Sequence, residues 1–279
     1  MRIDVSSYIP GSSPVHACDA RVKVVLLAAY SATLFFVRTW MGLGLAALAF
    51  VAVAAASGIA WRRFFGLLAP VYAVAALAVA FNGFSLDVWQ AGGLGDVLAG
   101  VLADVPPVAL IGSFGLVPAG FARGCFFAAR IVLLVTASLV VTYTTTSTQL
   151  TDALCAFMRP LRRLRVPVDD AAMVFSLALR FIPVTAEELA RVRDAQWARG
   201  AAFSEGGLRA RLGAWQTVFV PLFVGLFRRA DALAVAMDAR CYGTSDVPRT
   251  SLARRRLTAG DVCALVTGLA ACAALAAWL

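Results

Sequence analysis

Two arginines stand in matching surroundings, about 40 residues apart. One lies in Ala195-Gln196-Trp197-Ala198-Arg199-Gly200, the other in Met237-Asp238-Ala239-Arg240-Cys241-Tyr242-Gly243. Each sits between small residues near the last turn of a helical pattern. A guanidinium flanked by small side chains projects without steric cover, and its planar fork can grip a carboxylate through two parallel hydrogen bonds. A helix C-terminus favours the cation further through its dipole. One such arginine is an ordinary helix end. Two copies at matching helix ends point to a pair of docking plugs, Ala198-Arg199-Gly200 and Ala239-Arg240-Cys241.

Bond-making chemistry finds no foothold. The chain has one histidine, His16, and six scattered cysteines with no C-x-x-C spacing, so no zinc or haem motif can be assembled. Cys18, Cys125, Cys155, Cys241, Cys263 and Cys272 read as small apolar residues in or near helices. His16 fits a local turn or cap better than a catalytic base. There is no G-x-x-x-x-G-K-[ST] sequence, so the chain is not expected to bind ATP in a P-loop. The expectation is a non-catalytic chain with no catalytic residue, no metal and no directly bound cofactor. A net charge of +9 raises the question of nucleic acid, but no basic stripe interleaved with aromatics supports it.

The elements that must position the arginines follow from composition. The chain is 61% hydrophobic and 15% charged, with mean hydropathy +0.82. Soluble domains are about half apolar and about a quarter charged, so the excess must face lipid. Asp4 and Pro10 stand where a cleavable signal would need positive charge and an apolar core. Apolar runs fall at Val22–Val37, Trp40–Ser57, Phe64–Phe84, Phe121–Tyr143 and Gly260–Leu279. Five spans are expected, helical because hydrocarbon leaves backbone groups no other partner.

Basic residues set the orientation. Arg21 and Lys23 precede the first run, and Arg62 and Arg63 follow the second. The loop from Ser85 to Gly120 has no Lys or Arg but carries Asp87, Asp96 and Asp104. Seventeen of 25 basic residues lie between Arg159 and Arg256. The N-terminus is therefore read as cytoplasmic and the C-terminus as external, with Arg38 the one contrary charge.

The long basic segment has helical patterns of its own. Leu150–Arg163 reads as a short helix stopped near Pro160 and Pro167. Asp169–Gly200 and Gly213–Arg240 follow as long helices, with apolar front halves and charged rear halves. Asp169 or Asp170 is expected to cap the first, and Gly200 to end it. The apolar halves are about 13 residues, too short to cross a bilayer. Both helices are read as amphipathic, lying at the inner face.

These signatures resemble the two Ala-Arg-Gly motifs of T components (the EcfT/CbiQ type) in energy-coupling factor ABC transporters. Other segments resemble the family in the same order. Tyr8-Ile9-Pro10-Gly11-Ser12-Ser13-Pro14-Val15-His16 with Asp19, Arg21 and Lys23 is similar to its N-terminal motif. Thr144-Thr145-Thr146-Ser147 is similar to its Thr-rich entry into the cytoplasmic region. Leu177-Ala178-Leu179-Arg180-Phe181-Ile182-Pro183 resembles the start of its second coupling helix, and Arg228-Arg229-Ala230-Asp231 the approach to its second signature. Cys241 stands where the family usually has glycine, and Ala20 where it commonly has proline.

The resemblance implies an all-α integral membrane protein. It would have about five transmembrane helices and three cytoplasmic coupling helices in an L-shape, divided as 1–143, 144–258 and 259–279. It implies docking to two ABC ATPase subunits (A and A′), which hydrolyse the ATP, and contact with a substrate-binding S component in a prokaryotic cell membrane, for uptake of a vitamin or transition-metal ion. The S component would read the substrate. Arg180, Pro183 and Pro221 would support the coupling helices; each proline, inside a helical pattern, reads either as a bend that aims the helix or as a tolerated kink or helix start. The alternatives are a conventional ABC permease, an S component and a lipid-modifying membrane enzyme. Arg130, inside the fourth run, is a functional candidate by default, with a bundle-internal structural role as the alternative. Arg254–Arg256 reads as an inner-leaflet anchor.

Overall fold

A computed structural model describes residues 8, 11, 13–58, 66, 68–85, 108–111, 114–116, 118–164, 167–201, 203, 207–243 and 258–277. Arg62, Arg63, Asp87, Asp96, Asp104 and Arg254–Arg256 lie outside the described residues.

The apolar runs form helices. After the short α1 (Pro14–Ala17) come α2 (Ala20–Phe36), α3 (Trp40–Ser57), α4 (Ala69–Gly83) and α5 (Pro118–Thr144). Ser147–Met158 is α6, continued by a 3-10 stretch over Arg159–Leu164. The two long helices are α7 (Val168–Ala198) and α8 (Leu208–Asp238), and the last is α9 (Ala259–Ala277). Asp19 caps α2 by accepting from the Arg21 amide, and Thr39 caps α3 by accepting from the Gly42 amide, a standard way to occupy orphan donors.

Among the described residues three helices are long and apolar enough to cross a bilayer: Trp40–Ser57, Gly120–Thr144 and Ala259–Ala277. The other two expected spans are helical but shorter, 17 residues in α2 and 15 in α4, against the roughly 20 that a full crossing needs. Neither α7 nor α8 is apolar enough over a sufficient length to cross a bilayer, as expected from their short apolar halves.

The helices fall into two compact units. One comprises Ser6–Phe157 with Leu257–Leu279; the other includes Met158–Arg256. In the first, α5 is central. Phe126 packs with Leu34, Val37, Leu43 and Ala46 of α2, α3 and their connection, and Val140 and Tyr143 pack with Ala54 and Leu68. Glycines let α4 and α5 meet closely: a Cβ on Gly120 would come within 2.0 Å of the Asn82 carbonyl oxygen, and one on Gly124 within 2.8 Å of the Val79 Cα. Small residues at such spacing are how helices gain van der Waals contact in lipid. In the second unit, α7 and α8 pack on each other, and Arg229 reaches Glu188 across the pair at 3.8 Å.

Three features depart from the sequence reading. A small antiparallel sheet, in the order β1 (Phe84–Ser85), β3 (Phe114–Leu116), β2 (Val108–Ile111), forms between α4 and α5, because the residues flanking Gly112-Ser113 are strand-prone and apolar. Neither Asp169 nor Asp170 caps α7: Pro167 holds that position without a side-chain bond, and both acids sit in the first turn, where they still complement the dipole. Helix α8 begins at Leu208, five residues before Gly213, because a single glycine weakens a helix without stopping it.

Candidate functional site

The two arginine signatures fold into the same turn. At the end of α7 the Gly200 amide donates to the Trp197 carbonyl and the Ala201 amide to the Gln196 carbonyl, at 2.9 and 3.0 Å. Gly200 is left-handed, φ +87°. At the end of α8 the Cys241 amide donates to the Asp238 carbonyl and the Tyr242 amide to the Met237 carbonyl, at 2.9 and 3.1 Å. Cys241 is left-handed too, φ +56°. Both are Schellman turns, which close a helix by giving its last carbonyls a partner. In both, the arginine is the residue just before the left-handed position. The match is thus one of backbone geometry as well as composition.

That geometry sets what the arginines can do. Ala198, Arg199, Gly200, Ala239, Arg240 and Cys241 are all exposed. On α7 the acids Glu188 and Asp194 are engaged by Arg191 and Arg193, each at 2.8 Å. Among the described residues Arg199 and Arg240 have no ion-pair partner. Each end offers an uncommitted guanidinium fork on a fixed turn.

Pro183 lies inside α7 and Pro221 inside α8. Neither starts a helix, and each denies one carbonyl of the preceding turn its usual donor. Arg180 is exposed on α7. On α8, Trp215, Phe219 and Phe223 form a ladder with ring centroids 5.7 and 6.4 Å apart, and Phe203 meets Trp215 edge-on. Phe219, Val220, Phe223 and Phe227 remain exposed. An open cavity of about 320 Å³ lies where Phe181 of α7 faces Leu226, Ala230, Leu233 and Met237 of α8.

The N-terminal and Thr-rich motifs, far apart in sequence, come together within the helical bundle. Lys23 is buried, and its ammonium donates to the Thr144 carbonyl at 2.9 Å and the Thr145 hydroxyl at 3.4 Å. It thereby holds the C-terminal end of α5. The Asp19 amide donates to Asp261 Oδ1 at 2.9 Å, while Asp261 Oδ2 accepts from the Thr258 amide and hydroxyl. Asp19, Lys23, Thr144, Thr145 and Asp261 are all buried. Sequence reasoning missed Asp261; the signal available was an acid one residue inside the start of an apolar run, with Thr258 before it. Burial and the Asp261 hydrogen bond push the Cys18 thiol up from its ordinary value, and burial does the same for Cys155, so both lose thiolate character.

Arg130 is accounted for structurally. It donates to the Val37 carbonyl at the end of α2 and lies over the Phe126 and Phe127 rings, 4.9 and 5.6 Å from their centroids. His16 pairs with the Ser13 hydroxyl at 2.6 Å inside the α1 turn. Among the described residues no group of histidine, cysteine and acidic side chains is arranged to hold a metal ion.

Comparison with known proteins adds an independent line. The CbiQ family, described as cobalt transport protein, matches residues 11–251. The energy-coupling factor transporter transmembrane protein EcfT of Thermosediminibacter oceani is 33% identical over 96% of this chain and 95% of its own length. That of Bacillus subtilis is 32% identical over 85% of this chain and 84% of its own. An ABC transporter ATP-binding protein of Bifidobacterium longum is 35% identical over 85% of this chain, which corresponds to 28% of that longer protein.

Proposed function

This chain belongs to the CbiQ family of cobalt transport proteins, and from that premise we propose that it is the T component of an energy-coupling factor importer, joining two ABC ATPase subunits to a substrate-binding S component. It is a multi-pass membrane protein of the energy-coupling factor transporter kind. The finer reading assigns Arg199 and Arg240 to two acidic sockets, one in each ATPase subunit (A and A′). It places the ends of α7 and α8 in the cytosol and the protein in the plasma membrane.

The observation that carries this reading is the repeated turn. Two exposed arginines on identical Schellman geometry suit two related partners better than one. The Bifidobacterium relative supports it, since a similar region there is part of a longer chain named as an ATP-binding protein. On this reading the chain performs no catalysis and binds no cofactor. The ATPases close on ATP, α7 and α8 move as rigid bodies with them, and the apolar ladder on α8 shifts against the S component. The cargo, a vitamin or a transition-metal ion, is selected by the S component.

The test is ATPase binding by the full chain in detergent or nanodiscs. Arg199→Ala and Arg240→Ala should each weaken it by about 2–5 kcal/mol, because the acidic partner is left buried and unpaired. Full ATPase retention by both variants would rule the reading out.

A further inference from the structure

The last two turns of α7 are bare on almost every side. From Arg193 to Gly200 only Gln196 is half-buried; the rest are exposed. Within this stretch stands Trp197, 72% exposed. Tryptophan is the side chain with most to gain from cover, and with arginine and tyrosine it is the most enriched at the energetic centres of interfaces.

Its position relative to the arginine matters. Residues two apart on an α-helix are separated by roughly 200°. The indole and the Arg199 guanidinium therefore leave opposite sides of the helix end, with Ala195 and Ala198 adding no bulk between them. The Arg193–Asp194 and Arg191–Glu188 pairs ring the same turns with charges of both signs. That suits a protein groove with an apolar wall and an acidic wall better than an anionic lipid surface, which the two acids would oppose.

We propose that Trp197 is the second contact of the first docking end, seated in an apolar slot of an ABC ATPase subunit while Arg199 pairs with a carboxylate on the opposite wall. This rests on the reading of the arginine ends as ATPase plugs. It also distinguishes the two ends. In α8 the position equivalent to Trp197 is Asp238, and the exposed aromatic is Tyr242, beyond the left-handed residue. The turns match, but the apolar contact falls before the arginine in one and after it in the other. The two ends are therefore not interchangeable.

The experiment uses the full chain in nanodiscs, labelled with 5-fluorotryptophan, and a purified ABC ATPase pair from an energy-coupling factor transporter. The chain has six tryptophans, and the Trp197→Phe variant assigns the relevant fluorine resonance. Adding the ATPase pair should shift or broaden that resonance. Trp197→Ala should lower ATPase affinity by about tenfold, the usual scale for truncating an aromatic anchor, while Trp197→Phe retains most of it. Amide exchange at Gly200 and Ala201, unchanged in Trp197→Ala, excludes simple loss of the turn. The inference is overturned if Trp197→Ala binds within about twofold of the parent, or if the resonance responds to anionic lipid and not to the ATPases. Arg199→Ala, run in parallel, separates the two levels. If it weakens binding while Trp197→Ala does not, the inference fails alone; if neither does, the underlying reading fails with it.

Discussion

Arg199 and Arg240 each precede the left-handed residue that closes their helix. Gly200 enters the left-handed region freely, whereas a side chain there costs about 1–2 kcal/mol. Cys241 carries that strain at φ +56°. Cys241→Gly should therefore tighten the end of α8, slowing amide exchange at Tyr242 severalfold. Gly200→Ala should loosen α7 by about 1 kcal/mol and speed exchange at Ala201. Equal exchange in parent and variants would mean the turns are held by something other than their own geometry. Arg130 makes the opposite case. An intramembrane charge invites a functional reading, yet it serves the Val37 carbonyl and two phenylalanine faces, contacts that composition cannot reveal.

At the scale of elements, the helical bundle depends on close approach and on one buried lysine. Gly120→Ala would place a methyl against the Asn82 carbonyl, so α4 and α5 must part; the expected cost is about 1–3 kcal/mol, read as a lower Tm in detergent. Lys23→Ala should strip the Thr144 carbonyl of its buried donor. An unmet buried acceptor costs about 1–3 kcal/mol, and exchange should rise specifically where α5 gives way to α6. No change at that junction would show that Lys23 does not hold it. Helix identity was legible in the sequence because apolar runs and Gly or Pro stops act locally. The cap of α7, the start of α8 and the small sheet were not, because Pro167, Gly213 and the Gly112-Ser113 flanks act through context rather than residue type. The paired arginines could be read because their signature is short and contiguous. The Lys23–Thr144 and Asp19–Asp261 contacts could not, because they join residues more than 100 positions apart.

For the molecule as a whole, the account requires both arginine ends to face the cytosol. A variant retaining Cys241 as its single cysteine should react with a membrane-impermeant maleimide in inside-out vesicles and stay unlabelled in right-side-out ones. The reverse pattern would invert the topology read from the basic residues. The most direct measurement is hydrogen exchange across the full chain, with and without the purified ATPase pair. The account predicts new protection in two separate stretches, 195–201 and 237–243. Protection at one alone, or at neither while the ATPases remain bound, would contradict it.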